Sequence, residues 1–468
     1  MGTLKVNCSH QIQSSPQAVE VKETGSFESL TKNVGRFDLK DKILLIPEMN
    51  RIGGHLLAAT FRGFGIHAKV METFRGLDLG LKYTSGKECY PCQITMGDIL
   101  HFLDGEKQRL GDAFNAEDYV YFMPESDGPC RFGMYNKFQR IVLDSFPELS
   151  RVKIGALTAE DAYSLVGLID KNRVSDLRKT AYLSVVVGDI LDRLLWRIRP
   201  YEKEAGMTDR FIETSMAIME DAFEGQGSRR DFKRILHELE KIVKKGRDII
   251  DPDIPPKPLI GVVGEIYLRS HIHANQDLIR VLEKYGAEVV NASIAEWMNY
   301  ISYDGLRTAR AQLRFNLKNM RLRELKKSLQ KILSFGGDLY YKEYWQKKVY
   351  SRVTTLLRLK HDHRVAELER VLERHDLFTF DVSTETCLSI AGILKCIQEG
   401  YNGVVNVYPF TCMPSTATSA IVRPLMNRLG VPYLDTPYDS SIQPGREAAL
   451  RTFMYQAHQH WKRHGRRA

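Results

Sequence analysis

Two stretches of this chain follow one plan, and that plan limits the fold more than any other feature. Asp41-Lys-Ile-Leu-Leu-Ile-Pro47 is a short apolar run bounded by charge and proline, which suits a buried strand. His55–Gly65 then carries apolar residues at helical spacing and stops at a glycine, and Ile66–Met71 reads as the next strand. Leu259–Tyr267, Gln276–Tyr285 and Gly286–Val290 repeat the order strand, loop, helix, glycine, strand. Spacing of this β–α–β kind predicts a parallel sheet with right-handed crossovers, and its repetition predicts two related open α/β domains.

The rest of the chain sorts around those two units. Residues 1–37 are rich in Ser, Gln and Glu without sustained periodicity and read as a flexible leader. The first α/β domain spans 38–157, with further strands at Asp118–Met123 and Val152–Leu157 and a helix at Asn136–Asp144. Residues 158–256 form a helical segment, clearest at Leu177–Ile198 and Asp231–Val243, and Asp251-Pro-Asp-Ile-Pro-Pro-Lys-Pro258 is a hinge. The second α/β domain spans 257–468 and carries a basic helical insertion at 304–376. Its sheet resumes at Leu377–Asp381, continues at Gly403–Pro409 and closes with Val431–Leu434.

Composition excludes several classes. No uninterrupted apolar run reaches the roughly 18 residues of a membrane span, and Met1–His10 lacks the apolar core of a signal peptide. Seven cysteines in 468 residues are too few and too irregular for a disulfide scaffold, so a reducing cytoplasm is expected and the sequons at Asn7 and Asn291 read as chance matches. The net charge is +9, with basic residues densest in Arg307–Lys331, Lys342–Arg364 and Trp461–Arg467. These runs read as solvated helix faces, with a docking surface for an acidic partner as the alternative. Stacking aromatics do not interleave with them and no nucleic-acid module is present, so neither nucleic acid nor membrane is an expected partner.

The cysteines carry the chemistry. Cys89 and Cys92 form a Cys-x-x-Cys in the polar loop Gly86–Gln93, ahead of a helix-like run from Ile94. Thiols at a helix start are favoured as thiolates by the unpaired N–H groups and the dipole there. Cys130 and Cys412 each lie in a proline-flanked loop just past a predicted strand, where open α/β sheets place ligands. Cys387 and Cys396 lie on an apolar helix and read as buried structural thiols, and Cys8 reads as a free thiol in the leader. Cys89, Cys92, Cys130 and Cys412 are therefore the candidate ligands of one soft metal centre, either zinc or an iron–sulfur cluster. Structural zinc sites favour two tight pairs close in sequence, whereas here only Cys89 and Cys92 are paired.

Three strings, Gly86-Lys-Glu-Cys-Tyr-Pro-Cys-Gln93, Gly128-Pro-Cys-Arg-Phe-Gly-Met-Tyr135 and Tyr408-Pro-Phe-Thr-Cys-Met-Pro-Ser415, resemble the activase-related proteins of the 2-hydroxyacyl-CoA dehydratase superfamily. Val262-Val-Gly-Glu-Ile-Tyr267 with Asn275 resembles the start of their second domain, and the resemblance runs from about Lys42 to Ala457. It implies two Rossmann-like open parallel-sheet domains plus helices, with a [4Fe-4S]-type iron–sulfur cluster held between them. In the dehydratase subunits three cysteines hold a cluster and leave one iron open. Cys130 and Cys412 match the second and third of those by position, and one of Cys89 or Cys92 matches the first. The additional cysteine departs from the pattern: it would close the fourth iron, favouring electron transfer, or support a larger cluster.

No Gly-rich phosphate loop and no ATPase signature occurs, and Arg51-Ile-Gly-Gly54 matches neither, so ATP-driven reduction would need a separate ATP-hydrolysing activase. The resemblance further implies an acyl-CoA substrate, and either a homo- or a hetero-oligomer accommodates it. No acid or base is assigned: Glu88, Glu125 and Glu265 sit near element ends, and His55 and His101 read as structural. Two functions compete, an iron–sulfur protein of low-potential electron transfer or reductive chemistry, and a non-catalytic zinc- or cluster-binding scaffold or regulator.

Overall fold

The computed structural model describes residue 30 and residues 32–126 and 128–465, so Cys8 lies outside the described residues. The chain is α/β, with two all-parallel sheets. The first contains β1 (Val34–Gly35), β2 (Ile43–Ile46), β3 (His67–Val70), β4 (Tyr119–Phe122) and β5 (Lys153–Gly155), in the order β1-β5-β4-β2-β3. The second contains β6 (Leu259–Gly264), β7 (Glu288–Asn291), β8 (Gly403–Pro409) and β9 (Tyr433–Tyr438), in the order β7-β6-β8-β9. β6 is buried at every position, which is why it reads as a continuous apolar run rather than an alternating one. Among the described residues no helix is long and apolar enough to cross a membrane.

Three expectations need correction. Val34–Gly35 lies within the stretch expected as leader, yet it pairs in parallel with Ile154 and Gly155; two residues are too few to show a period. Leu377–Asp381 is not a strand but a loop, and its apolar character serves to bury Phe380 against the rings of Tyr300 and Tyr303. The helix expected from Ile94 begins at Tyr90, so Cys92 stands inside its first turn. Pro91 is compatible with that turn because the first N–H groups of a helix have no partner within it.

Helices Lys171–Ile198, Met207–Glu224 and Lys233–Arg247 form the segment between the sheets. Val186, Val187, Ile190, Leu191 and Leu194 of the first are fully buried, packed with Ile52 and Leu56 on one side and with Val349 and Val353 on another. The same helix carries two buried carboxylates one turn apart. Asp192 accepts from Asn50 Nδ2 at 2.8 Å, and Asn50 itself caps helix Arg51–Gly63 directly after β2. Asp189 accepts from the N–H groups of Ile294 and Ala295 at 3.0 and 2.9 Å, at the start of the helix that follows β7. One helix thus ties the loop after a strand of the first sheet to the helix after a strand of the second. Hydrogen bonds to charged groups contribute about 1.5–3 kcal/mol each.

Burial pushes both carboxyls from an ordinary 3.8 up to about 7. Between those values the folded chain binds protons that the unfolded chain has released, so these groups make stability fall as pH rises through that window. Asp192→Asn, which keeps an acceptor for Asn50, should shrink the loss of melting temperature between pH 5 and pH 7. An identical pH dependence in the variant would contradict this account.

Candidate metal centre

From β2 in the first sheet and from β6 in the second, the chain places the next strand on one side and then crosses to the other. The order therefore reverses between β2 and β4 in the first sheet and between β6 and β8 in the second. Open α/β sheets bind ligands in the crevice outside the carboxyl ends at such a reversal. Here the two crevices share a cavity of about 730 Å³, lined by Pro47, Asn50, Met123 and Pro124 from one sheet and by Glu265, Pro409 and Pro414 from the other.

Cys89, Cys130 and Cys412 all line this cavity, and Cys92 does not. Cys89 is the N-cap of helix Tyr90–Leu110 and Cys412 that of helix Met413–Leu429, while Cys130 precedes the short 3-10 turn Arg131–Met134. None of the three side chains makes a capping hydrogen bond to its helix. Cys92 is buried with Met96, Ile99 and Tyr121 in the core of the first domain.

The two N-cap thiols sit in repeated turns. Cys89-Tyr-Pro-Cys-Gln-Ile-Thr95 and Cys412-Met-Pro-Ser-Thr-Ala-Thr418 share Cys-x-Pro-x-x-x-Thr. Thr95 Oγ1 donates to the Pro91 carbonyl at 2.8 Å and Thr418 Oγ1 to the Pro414 carbonyl at 3.0 Å. In both turns the cysteine and proline line the cavity, and the residue after the proline, Cys92 or Ser415, is buried away from it. Cys92 occupies the place of a serine in its counterpart. That repeat is visible in the sequence and marks the thiols facing the cavity, although the Cys-x-x-Cys spacing draws the eye first.

Arg131 binds the three cysteine loops together. It follows Cys130, donates to the Lys87 carbonyl ahead of Cys89, and donates to the carbonyl and hydroxyl of Thr411 at 3.1 and 3.0 Å. Thr411, immediately before Cys412, has φ 64°, a left-handed conformation that a β-branched residue adopts only at a cost. Gly128, at φ +80°, brings the Cys130 loop against the second domain, where a Cβ would stand 2.8 Å from the Ser383 carbonyl oxygen.

Burial raises the proton affinity of all four thiols. Burial pushes Cys89 up, opposed by hydrogen bonding with Tyr135 and by the Arg131 guanidinium. Cys130 is pushed up to about 12 by burial and then by Glu385. Cys412 is pushed up by burial and then by Glu265, and Cys92 by burial and then by Cys89. Two half-buried carboxyls flank the thiols: Glu265 accepts from the N–H groups of Tyr267 and Leu268, and Glu385 accepts from that of Ile266 at 3.2 Å. Burial and the nearby Glu265 raise Glu385 to about 8. Among the described residues no three His, Cys, Asp or Glu side chains converge tightly enough to grip a single metal ion.

Of the acids and histidines singled out by sequence, Glu265 alone lines the cavity. Glu88 bonds Ser85 at the surface, Glu125 pairs with Lys137, His55 pairs with Glu220, and His101 is exposed. Cys387 is buried, its thiol directed at the Val382 carbonyl. A clamp that sequence did not suggest lies behind the Cys89 helix. His271 Nδ1 accepts from the Ala274 N–H, which leaves Nε2–H to donate to Thr73 Oγ1, and Thr73 donates to buried Asp98 at 2.7 Å. Burial holds His271 neutral, down to about 3.

No protein-family model matches the chain, and no curated protein sequence matches it.

Helix Leu77–Lys82 seats the Cys89 helix by backbone contact. A Cβ on Gly97 would stand 2.0 Å from the Gly76 carbonyl oxygen, and one on Gly80 1.9 Å from that of Gln93. Alanine at position 97 gains about 1 kcal/mol of helix propensity, but such overpacking costs about 1–3 kcal/mol and the obstacle is backbone. Gly97→Ala should therefore lower the denaturant midpoint. A midpoint at or above that of the parent would show that the two helices can separate freely.

Proposed function

We propose that Cys89, Cys130 and Cys412 hold an iron–sulfur cluster of the [4Fe-4S] type between two Rossmann-like domains. On this reading the protein acts in low-potential electron transfer or reductive chemistry in a reducing cytoplasm, with a separate ATP-hydrolysing activase. The observation that carries the reading is that three thiols on three loops, drawn from both domains, line one cavity at the reversals of both sheets. The donor set fits the group. All-thiolate ligation selects zinc or iron–sulfur centres, and the helix starts at Cys89 and Cys412 favour an anionic centre. Tetrahedral zinc needs its sulfurs about 2.3 Å from a single point, whereas a cluster takes each thiolate on a different iron. Three thiols from three separate loops suit the second arrangement better than the two tight pairs of a structural zinc site.

A bound cluster supplies one-electron transfer. Arg131 ties the three cysteine loops together, and Cys92 packs the first domain as Ser415 packs the second. An acyl-CoA thioester is the substrate class that the motif resemblance suggests.

Anaerobically purified protein should be brown, with about four irons and matching sulfide. Cys89→Ala, Cys130→Ala and Cys412→Ala should each lose the cluster absorbance, while Cys92→Ser and Cys396→Ala should keep it. Full iron content in Cys412→Ala, or colourless protein carrying about one zinc, would overturn the assignment. Reduction should be slow without ATP and the activase. A cluster that dithionite reduces readily, with no gain from ATP, would remove the activase from the reading.

Arg131→Ala should leave the fold intact but slow cluster loading and speed its loss to a chelator, because the three loops would no longer be tied. Loading and loss at parental rates would assign Arg131 no positioning role.

A further inference from the structure

The helical hairpin Ile294–Lys318 and Leu322–Leu357 borders the cavity at Tyr340 and carries a further exposed surface beyond it. Its first helix continues the second domain, and Phe335 and Leu339 of the second helix pack with Ile301 and Leu306 of the first. Asn316 and Ser328 join the two near the tip at 3.1 Å. Lys342, expected on a solvated face, is buried and donates to the Met298 carbonyl and to Ser302, with Asp338 as its ion-pair partner. Four of the seven Lys and Arg of the second basic run thus have carboxylate partners, the others being Arg352, Lys360 and Arg364.

The first run differs. Arg307–Lys331 holds nine Lys and Arg against Glu324 alone, a net +8 in a chain whose total is +9. Among the described residues only Arg307 and Lys327 of the nine have a carboxylate within ion-pair reach. Beside this charge runs an apolar line. Leu322, Leu329, Leu333, Tyr340 and Tyr344 recur at steps of 7, 4, 7 and 4 residues and are exposed, from 48 % at Tyr344 to 75 % at Leu333. Over 22 residues at 1.5 Å each, the line is about 33 Å long. Such a narrow stripe is a coiled-coil seam rather than the broad apolar face of a helix lying on lipid.

We propose that this seam docks an acidic amphipathic helix of another protein, apolar residues along the stripe and carboxylates against the unpaired arginines and lysines. A second copy of this chain is disfavoured as occupant, because it would set +8 against +8. The inference does not depend on the cluster.

The probe is a synthetic four-heptad helix with Leu at its two seam positions and Glu at the flanking ones, titrated against the full chain by fluorescence anisotropy at low, physiological and high salt. A Gln-flanked helix of the same length is the control. The Glu helix should bind at least about tenfold more tightly than the control, and weaken steeply with salt. Leu329→Ser with Leu333→Ser, and separately Arg323→Glu with Lys326→Glu, should each weaken it about tenfold, and the second pair should flatten the salt dependence. All four positions are exposed, so circular dichroism and melting should match the parent. Equal binding of the two helices, or binding unchanged by either pair, would overturn the proposal. So would binding to phosphatidylglycerol vesicles, lost in the same variants, without binding of the Glu helix.

Discussion

Two carboxylates one turn apart on helix Lys171–Ile198 hold the halves of this molecule in register. Asp192 takes the amide of Asn50, which caps the helix after β2, and Asp189 takes two N–H groups at the helix after β7. Both partners lie beyond the carboxyl ends of strands, so the helix turns the functional edges of the two sheets toward one another. Further along, Arg193 pairs with Asp362, Arg197 with Glu288 and Arg199 with Glu283, extending the attachment into the second domain. Burying two acids is costly, as their raised proton affinity shows, and the apolar packing of the same helix offsets that cost.

The cavity follows from that alignment. Once the sheets face each other, the loops after β4 and β8 and the turn before helix Tyr90–Leu110 have nowhere to go but its wall. The two Cys-x-Pro-x-x-x-Thr turns then present equivalent thiols from the two domains, each at a helix start. Arg131 and the strained Thr411 show that the loops are held by specific bonds rather than left to settle. The Asp98–Thr73–His271 clamp and the close glycine contacts fix the Cys89 helix from behind. The elements around the cavity are thus tied to one another by specific bonds and close backbone contacts.

Charge is distributed by a different logic. Around the cavity thiols meet acids, and burial raises the proton affinity of both. The positive charge of the chain is concentrated instead on the hairpin, whose tip exposes Met320 and Leu322 among arginines and lysines. The chain thus separates an interior cavity lined by thiols and acids from a basic surface with an apolar seam.

The strand–helix–glycine–strand plan repeats in the sequence because period and punctuation are local properties, and β2, β3, β6 and β7 lie where that plan puts them. Local pattern also places Cys89, Cys130 and Cys412 in turns at element ends. It misleads where an apolar run serves burial rather than a sheet, as at Leu377–Asp381, and where two residues suffice for a strand, as at Val34–Gly35. The separation of Cys92 from Cys89 is a matter of helix phase, because a helix starting at Tyr90 turns position 92 into the core. That three thiols and two acids from both domains share a cavity was decided only by tertiary structure. Their meeting depends on how a buried helix aligns two sheets, and no spacing along the chain records that alignment.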